Sequence, residues 1–98
     1  MIDIIEFPAN TDGNALQVIH SDHLAITCMQ LKPGQCIPLH EHDNDSKLVV
    51  LEGELQLKLS DEMKRVESGM SVFIPANAPH EANTTGGCQV ATIFYSRY

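Results

Sequence analysis

The sequence predicts an all-β domain, either a sandwich or a barrel of short strands. Leucines alternate with polar residues throughout 54–59, a period of two that is typical of a strand with one buried face. Segments 24–31 and 88–95 are more apolar and rich in β-branched and aromatic residues, which predicts strands covered on both faces. No stretch sustains helical spacing. Many short strands at close spacing therefore favour an all-β architecture.

Turn residues divide the chain into these short strands. Residues 32–35 (Lys-Pro-Gly-Gln) fit a type II turn, because proline fixes φ and glycine supplies a positive φ at the next position. Residues 52–54, 60–62 and 67–69 carry the glycine, serine and aspartate of further reversals. With 98 residues and no linker or low-complexity segment, the chain is predicted to be a single domain spanning 1–98.

Composition and charge exclude several classes of function. The net charge is −7 and the isoelectric point is about 4.9, so nucleic acid and anionic membrane surfaces are not expected as partners. The apolar run 48–51 is far shorter than the ~20 residues of a membrane-spanning helix. The N-terminus lacks the basic region of a secretory signal, and three cysteines do not form a disulfide framework. We expect a cytoplasmic protein.

Three of the five histidines are spaced as metal ligands. His40 and His42 lie two residues apart in a strand-like stretch, so both rings leave the same face. Paired imidazoles suit a transition metal better than core packing, because each ring nitrogen needs a polar partner. His80 follows the turn at 75–79. If its strand lies across the barrel from the first, the three rings converge.

Residues 34–53 resemble the first motif of the cupin family. That motif reads G-x5-H-x-H-x3/4-E-x6-G, and this chain has Gly34-x5-His40-x-His42 followed by Gly53. Counted back from the glycine, the family's ligand glutamate falls at position 46, where this chain has serine. Ser46 and the adjacent Asp45 are therefore the candidates for an additional ligand.

Residues 69–84 resemble the second cupin motif, G-x5-P-x-G-x2-H-x3-N. The chain has Gly69-x5-Pro75-x-Asn77-x2-His80. Asn77 replaces a family glycine, a mild change because asparagine tolerates the left-handed region. Thr84 stands where the terminal asparagine belongs.

The resemblance implies a double-stranded β-helix of the jelly-roll class, often dimeric, with a metal pocket inside the barrel. The metal ligands would be His40, His42 and His80, holding a divalent iron, zinc, nickel, manganese or copper ion with open positions for water or substrate. Cupin thiol dioxygenases have three-histidine centres and clamp their substrate with an arginine. Here Arg65 and Arg97 lie outside the motifs, so that particular activity is not predicted.

Other residues are predicted to have structural roles. His20 and His23 flank a turn and are expected at the surface. Cys36 has the strand parity of the histidines, so it either faces the pocket or is a small buried hydrophobe. The remaining core and pocket expectations are Cys28, Cys88, Met29, Met63 and Met70 in the core, and Phe94 and Tyr95 at the pocket mouth. Segment 47–51 is apolar on both faces, which predicts a partner, a second copy of the chain, on its outer face.

Two functions from different classes fit these features. In one, the ion serves as Lewis acid or oxygen site in an enzyme acting on a small organic substrate, dioxygenase- or isomerase-like. In the other, the barrel is a non-catalytic binder or sensor of a small molecule or metal, acting through a protein partner. Position 46 discriminates between them: a carboxylate there would favour metal enzymology, whereas Ser46 favours the binder or a three-histidine centre.

Overall fold

The fold is organised around one long strand that belongs to two antiparallel sheets. A computed structural model describes residues 13–20 and 23–95. In these residues there are eight strands and no helix: β1 (Leu16–His20), β2 (Leu24–Leu31), β3 (Cys36–His40), β4 (Ser46–Leu59), β5 (Glu62–Glu67), β6 (Ser71–Ile74), β7 (His80–Asn83) and β8 (Cys88–Tyr95). Consequently the described residues hold no helix that could cross a membrane.

Strand β4 changes sheets partway along its length. Its first part, residues 46–53, pairs with β8 and β6 in a sheet of order β1-β2-β8-β4-β6. Its second part, residues 54–59, pairs with β5 and β7 in a sheet of order β3-β7-β4-β5. The inner faces of the two sheets enclose the core, as in a jelly roll. The prediction of an all-β, double-stranded β-helix is confirmed.

Glycines supply the positive φ angles that the predicted turns need. Gly34 has a φ of 85°, and the Gln35 amide donates to the Lys32 carbonyl at 3.0 Å, which confirms the turn at 32–35. Gly53 has a φ of 82°, but it lies within β4, at the point where the strand changes sheets, so the reversal predicted at 52–54 is wrong. The family glycine position in the second motif is occupied by Asn77, which adopts a φ of 64°, so asparagine takes over the left-handed conformation there.

The core lies between the two sheets and confirms most of the predicted alternation. Leu55 and Leu57 are completely buried, as the pattern in 54–59 predicts. Cys28 and Cys88 are buried and form no disulfide, and their burial was predicted. Further buried core residues are Leu31, Leu48, Val50, Val66, Ile74 and Val90.

Two of the methionines predicted in the core are on the surface. Met29 packs against the core, but Met63 and Met70 are 59% and 50% exposed. Met63 is opposite Lys58 in the β4–β5 ladder, on the face away from Leu57, and Met70 lies in the turn before β6. Their apolar character predicted burial. Met63 is exposed because of the strand register, and Met70 because it lies in a turn.

The Glu54 carboxylate fastens the loop between β7 and β8. Its Oε1 accepts hydrogen bonds from the backbone amides of Thr85 and Gly86, both at 3.0 Å. Thr84, which is buried, donates its hydroxyl to the Glu54 carbonyl at 2.7 Å. Hydrogen bonding, led by the Gly86 amide, lowers the pKa of Glu54 below its ordinary value, because these donors stabilise the ionised form.

Replacing Glu54 with glutamine is expected to destabilise the protein at neutral pH and to have less effect in acid. A carboxyl whose folded pKa is lowered contributes stability that is present above the unfolded pKa and is lost as pH falls through the folded pKa. Melting temperatures of wild type and Glu54→Gln should therefore differ by several degrees at pH 7 and converge below the ordinary glutamate value of 4.5. Glu62→Gln is the control. Glu62 forms an exposed ion pair with Lys64 at 3.1 Å, and exposed ion pairs contribute little to stability. A difference in melting temperature between wild type and Glu54→Gln that stays constant down to acid pH would contradict a stabilising role for the ionised carboxylate.

Candidate functional site

Strands β3 and β7 bring three histidines together at one end of their ladder. His40, the last residue of β3, is directly opposite His80, the first residue of β7. His42 follows two residues after β3. The ring centroids are 4.2 Å apart for His40 and His80, 4.7 Å for His40 and His42, and 4.9 Å for His42 and His80. Candidate ligand atoms from the three side chains all lie within 4.8 Å of one another.

Backbone carbonyls set the tautomers of two of these rings. His40 Nδ1 lies 2.7 Å from the Pro38 carbonyl oxygen, and His80 Nδ1 lies 2.9 Å from the Ala78 carbonyl oxygen. A carbonyl only accepts, so each Nδ1 carries the proton and donates it. The lone pair of each neutral ring is then on Nε2, the arrangement found in histidines that bind metals through Nε2.

The electrostatics of the cluster favour the neutral forms of His42 and His80. Burial lowers the pKa of His42, and the neighbouring His40 and His80 lower it further. Burial is also the main cause of the lowered pKa of His80, because desolvation penalises the imidazolium. His42 Nδ1 is buried with no hydrogen-bond partner, an arrangement that is costly unless something else satisfies it. Neutral imidazoles with free lone pairs are what a transition metal requires.

A bulge in β3 decides which of its side chains face the histidine cluster. Ile37 pairs with Ala82 and His40 pairs with His80, so β3 uses one residue more than β7 between these two pairs. The extra residue inverts the alternation, and Ile37 shares the inner side with His40 while Cys36 is exposed. Both predictions for Cys36, a pocket-facing thiol and a buried hydrophobe, are wrong, because uniform alternation was assumed across the bulge.

The histidines form one wall of an interior cavity of about 150 Å³. Phe94 lies edge-on to His42, with ring centroids 5.0 Å apart, and it lines the cavity. Tyr95, the other residue expected at the cavity mouth, is exposed and does not line the cavity. Within 13–20 and 23–95, the ionisable side chains of the lining are these three histidines. The other described residues of the wall are Ala15, Thr27, Met29, Ile37, Leu48, Leu57, Ile74, Ala82, Val90, Thr92 and Phe94.

The two candidates for an additional ligand have different surroundings. Asp45 is exposed, and its Oδ1 accepts a hydrogen bond from the Ala76 amide at 2.8 Å. Ser46 is completely buried, and its Oγ has no hydrogen-bond partner. The group of converging donors contains neither residue. As predicted, His20 and His23 are surface residues outside this group.

Sequence reasoning did not find the groups that hold the histidines in place. The Asn77 amide donates to the His42 carbonyl at 2.7 Å, which ties the loop after β3 to the turn before β7. The tautomer-setting carbonyls of Pro38 and Ala78 each lie two residues before their histidine. Every residue has a backbone carbonyl, so the residue types at these two positions do not indicate that their carbonyls bind a histidine ring.

Comparison with known proteins identifies the family and the fold. Residues 27–94 match the model of a family described as Cupin domain. Among solved structures, a conserved protein of unknown function from Streptococcus pyogenes is 20% identical in sequence to this chain, with a TM-score of 0.78. The alignment covers 99% of this chain and 97% of the Streptococcus pyogenes chain. A comparison with curated proteins gave no match.

Two further solved structures have the same fold. A cupin superfamily protein from Desulfitobacterium hafniense is 17% identical with a TM-score of 0.80, over 92% of this chain and 84% of its own. An RmlC-like cupin from Shewanella frigidimarina is 20% identical with a TM-score of 0.80, over 95% and 85% respectively. At these identities the likeness concerns the fold.

Proposed function

Since the chain belongs to the cupin family, we propose that it is a metal-binding cupin in which His40, His42 and His80 hold a divalent transition-metal ion. The observation that carries the proposal is the convergence of three ligand atoms within 4.8 Å. The ion would be iron, zinc, nickel, manganese or copper, all of which accept imidazole ligands.

The donor set suits such an ion. The Nδ1 atoms of His40 and His80 are engaged by carbonyls, which orients both rings as outer partners orient the ligands of known metal sites. Nitrogens bound at ~2.1 Å can be at most ~4.2 Å apart, so binding requires the rings to move closer by a small side-chain rotation. The Nδ1 of His42 has no protein partner, and this residue is positioned by its backbone and by ring contacts with Phe94 and the other two histidines.

A small organic molecule would occupy the cavity beside the histidines. When bound, the ion supplies Lewis acidity or redox chemistry to such a substrate. The aliphatic wall, including Leu48, Leu57 and Val90, would exclude water and hold the apolar part of the molecule. In this form the protein is an enzyme, dioxygenase- or isomerase-like.

A non-catalytic role is the second candidate. Among the described residues that line the cavity there is no carboxylate, lysine or tyrosine to serve as a general base. This composition favours a sensor or carrier that binds a metal or small molecule and acts through a partner. Turnover of the bound molecule would decide for the enzyme, and its release unchanged would decide for the binder.

Metal content tests the proposed centre directly. Protein purified without chelator is expected to contain about one metal equivalent per chain, measured by plasma mass spectrometry, because three neutral imidazoles are sufficient for a divalent ion. His40→Ala/His42→Ala should lose the metal, whereas His20→Ala, which changes an exposed histidine, should retain it. Equal metal content in all three proteins would refute the assignment.

The outer face of the sheet formed by β6, β4 and β8 supports a homodimer. Phe73 and Leu51 are 52% and 37% exposed on this face, and Phe73 is directly opposite Lys47 in the β4–β6 ladder. Exposed apolar side chains on adjacent strands are typical of protein interfaces. We propose that a second copy of the chain covers them.

Light scattering after size exclusion tests the dimer. Wild type is expected at twice the chain mass of 10.8 kDa, and Phe73→Glu at the chain mass, because a charge in an apolar interface is left without a partner. Met63→Glu, at a position 59% exposed on the other sheet, should remain dimeric. A wild-type monomer would rule the dimer out.

We also propose that the protein is cytoplasmic. Cys28, Cys36 and Cys88 form no disulfide, and thiols stay reduced in the cytoplasm, which supports this location.

A further inference from the structure

The described residues of the candidate metal centre provide no negative charge. Three neutral imidazoles leave the full charge of a divalent ion uncompensated, and no carboxylate is among the described residues that line the cavity. The nearby Asp45 carboxylate is exposed and hydrogen-bonded to the Ala76 amide. A charge of +2 beside an apolar cavity is costly unless an anion accompanies it.

Ser46 is a buried residue outside the cavity lining whose cross-strand neighbours belong to that lining. Its cross-strand neighbours are Ile74 on β6 and Phe94 on β8, and both line the cavity. It also has the strand parity of Leu48, which lines the cavity as well. The side chain is therefore on the inner face, where its Oγ is buried and unpartnered. A buried hydroxyl without a partner is an unsatisfied hydrogen-bond donor.

The rest of the cavity is suited to one apolar group. Aliphatic and aromatic side chains such as Leu57, Val90 and Phe94 form most of its wall. Its volume of about 150 Å³ is similar to that of an engineered apolar cavity that binds benzene, roughly 150 Å³. A second charge on the ligand would have no lysine or arginine partner among the lining residues that the structure describes.

We propose that the histidine centre takes a small monoanion with an apolar body, of the monocarboxylate class, and that Ser46 donates a hydrogen bond to its charged oxygen. The ligand would thereby supply the negative charge that none of the described lining side chains provides. This inference rests on the proposed metal site and specifies which ligand that site selects.

Binding of benzoate and benzamide to the zinc-loaded protein tests the inference. The two probes are nearly identical in shape and differ in charge, and isothermal titration in a carboxylate-free buffer at pH 7 measures both. We expect benzoate to bind at least about tenfold more tightly, since hydrogen bonds and ion contacts to a charged group are the stronger ones. Equal affinities with zinc in place would overturn the inference and leave the metal site intact.

Two serine variants isolate the role of Ser46. Ser46→Ala should retain zinc and lose benzoate affinity by about tenfold, with benzamide affinity nearly unchanged. Ser71→Ala removes a hydroxyl from an exposed position of the same sheet and should behave as wild type. Unchanged benzoate affinity in Ser46→Ala would refute the hydrogen bond. Failure of the wild type to take up zinc would overturn this inference together with the proposed function.

Discussion

Replacing Gly53 with alanine is expected to destabilise the fold by on the order of 2 to 5 kcal/mol. Gly53 has a φ of 82°, a left-handed conformation that is energetically unfavourable for alanine because its Cβ clashes with the backbone. A Cβ there would also collide with the Gly87 carbonyl oxygen and lie 2.9 Å from Cys88 Cα. Both obstacles are backbone of the strand that pairs with β4 or of the loop before it, so no side chain can move aside.

Gly34→Ala separates the two contributions. Gly34 has a similar φ of 85°, but a Cβ there would have nothing within 4 Å. The stability lost in Gly34→Ala should therefore be limited to the cost of the left-handed backbone conformation, roughly 1 to 2 kcal/mol. Urea unfolding followed by circular dichroism at one fixed protein concentration measures both variants. Equal losses would show that the close approach of β4 and β8 at Gly53 is unimportant.

Zinc is expected to stabilise the protein strongly against heat. A ligand that binds only the folded state, at a free concentration 100-fold above its Kd, contributes about 2.7 kcal/mol. For a domain of this size that corresponds to a rise in melting temperature of roughly 10 to 20 °C. Differential scanning calorimetry with and without zinc, in a carboxylate-free buffer, measures the shift.

Two variants show whether the histidines are responsible. The rise should disappear in His40→Ala/His42→Ala, which removes two of the three converging donors. It should persist in Cys36→Ser, which removes the exposed thiol as an alternative zinc ligand. A shift that survives in the double histidine variant would place the ion elsewhere.

The histidine cluster shows how far sequence reasoning reaches into the site. The spacing of His40 and His42 and the turn before His80, together with the resemblance to the two cupin motifs, led to the prediction that these rings meet. Their ring centroids are 4.2 to 4.9 Å apart. Cys36 shows where the reasoning ended. Strand parity is lost at a bulge, and the sequence Cys-Ile-Pro-Leu-His gives no sign of which residue is the extra one.

The sequence by itself determined most of the strands, the turn at 32–35 and the identity of the three histidines, because alternation, glycine at positive φ and ligand spacing are local properties of the chain. The tertiary structure alone decided what surrounds those histidines. Sheet pairing buried Ser46 between Ile74 and Phe94 and turned Met63 outward. Such placements depend on register between strands that are distant in sequence, and register is set by the packing of the whole core.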